Sequence, residues 1–286
     1  MSADETERMG NIIKARLLNL AEKRGEDYNI VLTRYIFERF LYRLYCSPYR
    51  NEFVLKGAML FQLWRPMLHL VDLDSLAGRN SDFDIISHKI TTICTTEVAE
   101  DGVRFDLNGL SINDIQDGAR CNGKRVKFSA LLSSIRIPIQ IDIDMGNPIT
   151  LYPSEVEYLA LLRLPPPRIL VYSHTVIAEK LAAIITMGVN TRMQDFLDLW
   201  FFFTTFDDDL QIIGIIVEQA FGRWELPVPY EVPIGLSDEL ANDFLKQNQW
   251  REFLECTLYG ELPWDQVITI IRNAAMRIFA AAREWF

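Results

Sequence analysis

Apolar residues recur every three or four positions through most of the chain, the spacing that lets one face of a helix pack on a core. Residues 5–46 show this pattern twice and predict two amphipathic helices, the second ending at Ser47-Pro48. A third helix is predicted from Phe53 to Trp64. Beyond Arg168 the pattern predicts an almost wholly helical half, with helices at 173–187, from about 191, and at about 208–221, 237–257 and 263–284.

Between residues 67 and 144 the pattern changes and predicts mainly strands. Met67 to Leu73 is a short apolar run that predicts a buried strand, followed by a helix at about 85–94. Three further strands are predicted at 103–106, 125–132 and 135–144. The last of these has isoleucine at alternate positions, so that its other residues share the opposite face of the sheet: Arg136, Pro138, Gln140, Asp142 and Asp144.

These elements predict an α+β fold with an N-terminal helical segment, a small mixed sheet with helices, and a helical C-terminal half. Leu164 to Arg168 contains three consecutive prolines and predicts a stiff, extended linker. We therefore divide the chain into residues 1–165, a sheet core with N-terminal helices, and residues 166–286, a helical C-terminal domain.

Composition narrows the class of protein. The chain has 286 residues, is 49% hydrophobic and 24% charged, and has no apolar run near the roughly 20 residues that span a bilayer. Its polar, acidic N-terminus is unlike a signal peptide, so a cytoplasmic protein without a membrane partner is expected. A net charge of −10 argues against broad binding to nucleic-acid phosphates but leaves room for a small basic groove.

Three carboxylates are candidates for one metal site. Asp72 and Asp74 lie two residues apart at the end of the first predicted strand and therefore share a face, while Asp142 lies on the polar face of the last strand. If these strands are neighbours, the carboxylates meet at one surface of the sheet. Such a cluster suits two divalent cations about 3.5–4 Å apart that clamp a nucleoside triphosphate and activate an attacking hydroxyl. A solvated turn is the alternative for an Asp-x-Asp pair taken alone.

Two nearby features affect this hypothesis. Lys56, Gly57 and Ala58 precede the first strand and offer a small-residue turn whose backbone N–H groups can approach phosphates. A second Asp-x-Asp pair, Asp82 and Asp84, follows a turn-rich stretch and precedes a helix. Because helix capping accounts for this second pair, Asp72 and Asp74 are preferred as metal ligands.

The helical half contributes a second candidate group. Lys180 lies in mid-helix among apolar residues, where a charge needs a partner, and Asp195 lies in the first turn of the next helix, where the helix dipole favours an anion. Two interpretations stay open. Lys180 forms an ion pair with Asp195 or Asp198 that ties two helices together, or Lys180 binds a triphosphate oxygen while Asp195 positions or deprotonates the acceptor. Arg192 fits either interpretation.

At these residues the sequence resembles the AbiEii/AbiGii family of nucleotidyltransferase toxins, which includes the MenT toxins. The resemblance extends from about Asn11 to Glu255 and is strongest in residues 32–64, 136–149 and 175–200. Position by position, it assigns a phosphate-binding turn, a metal-binding Asp-x-Asp pair, a later acid, and a lysine and an aspartate of the second half. These are respectively Gly57-Ala58, Asp72 and Asp74, Asp142, and Lys180 and Asp195.

The resemblance implies a polymerase-β-like nucleotidyltransferase core in residues 1–165 and a toxin that acts with a nucleoside triphosphate and two Mg²⁺ ions. It further implies a separately encoded antitoxin. RNA is the expected acceptor, since some relatives add nucleotides to the acceptor end of transfer RNA.

Two alternatives remain open: an enzyme that nucleotidylates a protein, and a degenerate fold that binds a nucleotide or a partner without turnover. The second is supported by two departures from the family pattern: Leu68–Val71 replaces an Arg-x-Thr-x lead, and Ala58 lacks a hydroxyl. A third departure is Gln194, which stands where a lysine is usual.

Overall fold

The computed structural model describes residues 3–55, 73–77, 82–115, 123–144, 154–171, 173–186, 192–206, 209–255, 257 and 260–284. The chain divides into two compact units. The first comprises Met1–Pro148 with Pro153–Val171, and the second comprises Ile149–Tyr152 with Tyr172–Phe286. The division after residue 165 stays a prediction; it precedes the change of unit at Tyr172 by a few residues.

The first unit begins with helices α1 (Ala3–Arg24) and α2 (Tyr28–Cys46), as the periodicity predicts. The side chain of Asp27 caps α2 by accepting hydrogen bonds from two backbone N–H groups of its first turn. Helix α3 (Phe83–Thr95) is capped in the same way by Asp82. The capping interpretation of Asp82 is therefore confirmed.

The described residues of this unit also form one seven-stranded mixed sheet with the strand order β3-β4-β5-β2-β1-β7-β6. The strands are β1 (Val54–Leu55), β2 (Leu73–Ala77), β3 (Val103–Ile115), β4 (Gly123–Leu132), β5 (Ile135–Asp144), β6 (Ser154–Glu157) and β7 (Arg168–Val171). Strands β3, β4 and β5 form an antiparallel meander, and β2 runs parallel to β5. The helices and the mixed sheet confirm the predicted α+β class.

The strand predictions hold best where one face of the sheet is buried. The buried isoleucines of β5 lie at odd-numbered positions, and its bounds match the prediction.

The helix predicted at 53–64 is wrong at its start, because Val54 and Leu55 pair with β2 on one side and with β7 on the other. Residues 56–64 lie outside the described residues. The sequence predicts that a strand ends at Leu73, whereas β2 continues to Ala77.

The proline-rich segment has a different role from the predicted surface linker. Residues 158–167 connect β6 to β7, which the sequence did not predict, and the backbone N–H of Tyr158 donates to the carbonyl of Pro167 over 2.9 Å. Arg39 of α2 donates to the carbonyl of Pro165 over 3.0 Å. The segment thus lies within the sheet unit, where the carbonyl groups of Pro165 and Pro167 accept hydrogen bonds.

Helix α2 covers the buried face of the meander and carries charge into it. Phe40 packs against the rings of Phe105 and Phe128, each with a centroid separation of 6.0 Å. Arg43 donates to both carboxylate oxygens of Asp101 over 2.7 and 3.0 Å. Because both side chains are buried, the paired geometry is needed to offset the loss of hydration.

Two glycines bring α1 against the loop that leads into β3. Gly102 has a φ of +73°, and a Cβ there would lie 2.8 Å from the Cα of Gly10. A Cβ on Gly10 would in turn lie 2.8 Å from the backbone nitrogen of Ser133. The close approach of these backbones therefore excludes side chains at both positions.

The second unit is helical. Its helices are α4 (Ser173–Thr186), α5 (Met193–Thr205), α6 (Leu210–Arg223), α7 (Asp238–Ala241), α8 (Phe244–Glu255) and α9 (Trp264–Arg283), with a 3₁₀ turn at Ile234–Leu236. The single helix predicted at 237–257 is broken in two. The side chain of Asp243 accepts hydrogen bonds from the backbone N–H groups of Leu245 and Lys246 and so starts α8 anew.

Among the described helices, none combines the length and the apolar character needed to cross a bilayer.

Candidate functional site

The backbone brings two of the predicted metal ligands to neighbouring positions. Strands β2 and β5 are parallel neighbours, and Leu73 pairs with Ile141. Asp74 and Asp142 are the next residues on their respective strands and lie within the stretch where the pairing register shifts, between Leu73 and Leu76. The expectation that these strands adjoin is therefore confirmed. Of Asp74 only the backbone is described, and Asp72 lies outside the described residues, as do Lys56, Gly57 and Ala58.

Asp142 is oriented by an arginine of the next strand. Arg125 lies directly opposite it in the β4–β5 register. The Nε and Nη2 groups of Arg125 donate to the two oxygens of Asp142 over 2.8 and 2.7 Å. Sequence reasoning missed this pair, because the contact depends on register. The Asp142 side chain is 17% exposed, and an ionised carboxylate has about four lone-pair sites, so each oxygen can accept a further ligand.

The donor chemistry fits a hard cation. Carboxylate oxygens are ligands that Mg²⁺ prefers in proteins, and Asp74 and Asp142 lie on adjoining strands of the sheet. Within the described side chains no group of three or more His, Cys, Asp or Glu residues is placed to hold a metal ion. The carboxylates of Asp72 and Asp74, two of the three proposed ligands, are not among the described side chains.

The same face of the meander carries basic side chains. Arg104 and Arg136 both lie opposite Leu131, and Lys127 lies two residues after Arg125 on β4. Arg104 and Lys127 are exposed, and Arg136 is paired with Asp106 over 2.7 Å. Among the side chains that the structure describes, four cations and two carboxylates share this face, which we call the basic sheet face: Arg104, Arg125, Lys127, Arg136, Asp106 and Asp142. Among these described side chains the cations outnumber the carboxylates, in contrast to the net charge of −10 of the whole chain.

The second unit gathers another charged cluster around Lys180. Its Nζ lies 2.7 Å from Asp195 Oδ1 and 3.0 Å from Asp198 Oδ2. Arg192 Nε lies 3.3 Å from Asp195 Oδ2, and the amide of Gln194 donates to Asp198 Oδ1 over 2.6 Å. The predicted ion pair between α4 and α5 is thus confirmed with both aspartates. Asp195 and Asp198 are three residues apart on one helix, and this spacing in the sequence predicts that they share a face.

Burial and charge act in opposite directions on Lys180. Its side chain is 11% exposed, and those of Asp195 and Asp198 are almost fully buried. Desolvation alone would lower the pKa of Lys180, but Asp198 and Asp195, with their hydrogen bonds, outweigh it and raise the pKa above its ordinary value. Lys180 therefore stays positively charged at neutral pH.

Comparison with known proteins identifies the fold and the family. Residues 39–270 match the family model of the nucleotidyl transferase AbiEii toxin of type IV toxin–antitoxin systems. The chain belongs to this family. MenT4, a nucleotidyltransferase toxin from Mycobacterium tuberculosis H37Rv, has the same fold, with a TM-score of 0.61 at 16% identity over 95% of this chain and 92% of MenT4.

Two Helicobacter pylori structures, one of them JHP933, share 11% identity over 91% of this chain with a TM-score of 0.49; the alignment covers 95% of JHP933 and 99% of the other. No curated protein sequence matches the chain.

Family membership confirms the resemblance inferred from the residues and makes the chain a nucleotidyltransferase of the toxin class. The family implies a nucleoside triphosphate as substrate and an antitoxin as partner, and its members generally use a divalent metal. The roles of the individual residues stay predictions.

Proposed function

We propose that this chain is a magnesium-dependent toxin that transfers a nucleotidyl group from a nucleoside triphosphate to RNA, with transfer RNA as the acceptor. Asp72, Asp74 and Asp142 would hold two Mg²⁺ ions. Magnesium bound there supplies neutralisation of the triphosphate charge and activation of the acceptor hydroxyl. Arg125 supports this assignment for Asp142, because its two hydrogen bonds fix the plane of the carboxylate.

Lys180 is proposed to bind the triphosphate. A phosphate oxygen can replace one carboxylate in the hydrogen-bond shell of its ammonium group, which has three donors. Its raised pKa keeps the ammonium group protonated at neutral pH, and that positive charge can compensate the charge of a leaving pyrophosphate. Lys56, Gly57 and Ala58 would contribute backbone N–H groups to the phosphates.

Asp195 is proposed to position or deprotonate the acceptor hydroxyl. Its two oxygens are held by Lys180 and Arg192, so the carboxylate has a fixed orientation on α5. Arg192 is 64% exposed and remains accessible to an anionic ligand. A carboxylate that is both buried and fixed is suited to a positioning role.

The basic sheet face is the observation that favours RNA as the acceptor. Lys127 and Arg125 alternate with buried residues of β4, so their cationic groups lie on the face that carries Asp142. Contacts to phosphates supply much of the affinity of proteins for nucleic acids, and they require cations arranged along a surface. A neutral or apolar face beside Asp142 would instead favour a protein acceptor.

The test is to incubate the full chain with each labelled nucleoside triphosphate, Mg²⁺ and total transfer RNA. Asp72→Ala removes a proposed metal ligand, and Asp114→Asn removes an exposed carboxylate of the same unit as a matched control. Label on RNA with the wild type and with Asp114→Asn, but not with Asp72→Ala, is the expected result. Label on added protein instead of RNA would replace the proposed acceptor. No transfer to either, from any triphosphate, would indicate a degenerate nucleotide-binding fold.

A further inference from the structure

A pocket of about 570 Å³ opens beside the Lys180 cluster within the second unit. Its walls come from the start of α5 and from the last two turns of α8. Six residues line it: Arg192, Met193, Gln194, Gln249, Glu252 and Phe253. Two of them, Arg192 and Gln194, are the residues that contact Asp195 and Asp198. The pocket therefore adjoins the cluster of Lys180, because Arg192 and Gln194 line the pocket and also contact the two aspartates that Lys180 contacts.

A ladder of aromatic rings holds one wall of the pocket in place. Phe196 packs on Trp264 at 4.8 Å between ring centroids, Trp264 on Trp250 at 5.2 Å, and Trp250 on Phe253 at 5.6 Å. The Nε1–H of Trp250 donates to the carbonyl of Leu262 over 2.7 Å, which fixes its ring. Because Phe196 follows Asp195 on α5, the ladder ties the half-exposed ring of Phe253 to the helix of the charged cluster. Phe253 thus presents an aromatic surface with little freedom to move.

The polar lining of the pocket consists of one cationic donor, Arg192, and three side chains with acceptor oxygens, those of Gln194, Gln249 and Glu252. One N–H of the Gln194 amide donates to Asp198, and the amide oxygen is an acceptor. The carboxylate of Glu252 only accepts hydrogen bonds when ionised. Among the described residues neither Glu252 nor Gln249 has a hydrogen-bond partner, and both are exposed to the pocket opening. The pocket therefore offers an aromatic face together with acceptors at its edge.

We propose that this pocket binds the base of the incoming nucleoside triphosphate and favours bases with an exocyclic amino group. The inference rests on the proposed function, since it places the triphosphate at Lys180. Phe253 stacks on the base, as aromatic side chains do for any nucleobase. Glu252 accepts a hydrogen bond from the amino group, as acidic side chains do from the N4 amine of cytosine. Uracil carries a carbonyl at that position, which is repelled by the carboxylate.

The test measures binding rather than turnover. The full chain with Mg²⁺ is titrated calorimetrically with the α,β-methylene triphosphates of cytidine, uridine, adenosine and guanosine, and separately with inorganic tripolyphosphate. The wild type should bind the cytidine analogue about tenfold more tightly than the uridine analogue. Glu252→Gln, which keeps the shape of the side chain, should bring the ratio of these two affinities closer to one. Phe253→Leu should weaken all four analogues by about tenfold or more.

Glu255→Gln is the matched control, because Glu255 is an exposed carboxylate of α8 that does not line the pocket. It should leave all affinities unchanged. The pocket assignment would be overturned if the wild type bound the cytidine and uridine analogues equally. It would also be overturned if Glu252→Gln left the ratio of these two affinities unchanged and Phe253→Leu left all four affinities unchanged. In that case retained binding of tripolyphosphate would leave the proposed function standing. Failure of the wild type to bind any nucleotide or tripolyphosphate would overturn both proposals.

Discussion

The guanidinium of Arg125 donates to both carboxylate oxygens of Asp142 from the directly opposed position on the neighbouring strand. This arrangement fixes the carboxylate, but it also places a positive charge beside a proposed cation site. Arg125 therefore has two opposite effects on a metal site: it orients the Asp142 carboxylate, and it repels the cation that this carboxylate would bind. The two effects can be measured separately.

Replacing Arg125 by glutamine should lower the rate of nucleotidyl transfer by about tenfold, because a misplaced catalytic group costs reaction rate. The same change should lower the Mg²⁺ concentration needed for half-maximal activity, since a repulsive charge is removed. Initial rates measured against Mg²⁺ concentration test both effects. Lys127→Gln removes the same charge two residues away without a contact to Asp142 and should leave the Mg²⁺ dependence almost unchanged. A normal Mg²⁺ dependence in Arg125→Gln would contradict the electrostatic part of the argument.

Asp195 and Asp198 share Lys180 but should differ in function. Replacing either one by asparagine removes a charged hydrogen bond from a buried cluster and should lower the free energy of unfolding by about 1–3 kcal/mol. Asp195→Asn should in addition reduce transfer by about a hundredfold or more, as expected for loss of a proton-transfer group. Urea unfolding and transfer assays on both variants separate the two effects. Wild-type activity in Asp195→Asn would leave Asp195 with the structural role alone.

The raised pKa of Lys180 determines the pH range over which its ion pairs stabilise the fold. A cation whose pKa is higher in the folded state stabilises the fold fully below its unfolded pKa and loses that contribution as the pH rises through the folded value. The difference in unfolding free energy between the wild type and Lys180→Met should therefore stay constant from about pH 8 to pH 10. It should shrink above the ordinary value of 10.5. A difference that shrinks already below about pH 9 would mean that burial outweighs the two carboxylates.

Sequence reasoning succeeds where one chain segment contains the whole signal. The alternation in β5 reveals its buried face without knowledge of any neighbour. The ion pair of Lys180 is foreseeable because a lysine among apolar helix positions needs an anion, and the next helix offers two. The two-residue strand β1 is missed because its pairing comes from β2 and β7, which are distant in sequence. The same reason hides the Arg125–Asp142 pair and the pocket at Phe253.

Gly102 should tolerate no side chain. Its φ of +73° is unfavourable for any residue with a Cβ, and that atom would lie 2.8 Å from Gly10 of α1. Gly102→Ala should therefore lower the free energy of unfolding by about 2–4 kcal/mol, from backbone strain and overpacking together. Gly109→Ala in the same β3 region is the control, because a Cβ there meets nothing within 4 Å. Equal stability of the two variants in urea unfolding would contradict the close approach of α1.

Binding of transfer RNA should depend on the basic sheet face and on salt. Arg104 and Lys127 are exposed there, and among the described residues neither has an ion-pair partner. Replacing either one by alanine should weaken binding and reduce the slope of log affinity against log salt concentration by about one for each phosphate that the variant no longer neutralises. Lys23→Ala removes an equal charge from the exposed end of α1 and should leave the slope unchanged. If all three variants lower the affinity for RNA equally and show the same salt slope, binding depends on the net charge of the protein and not on the basic sheet face.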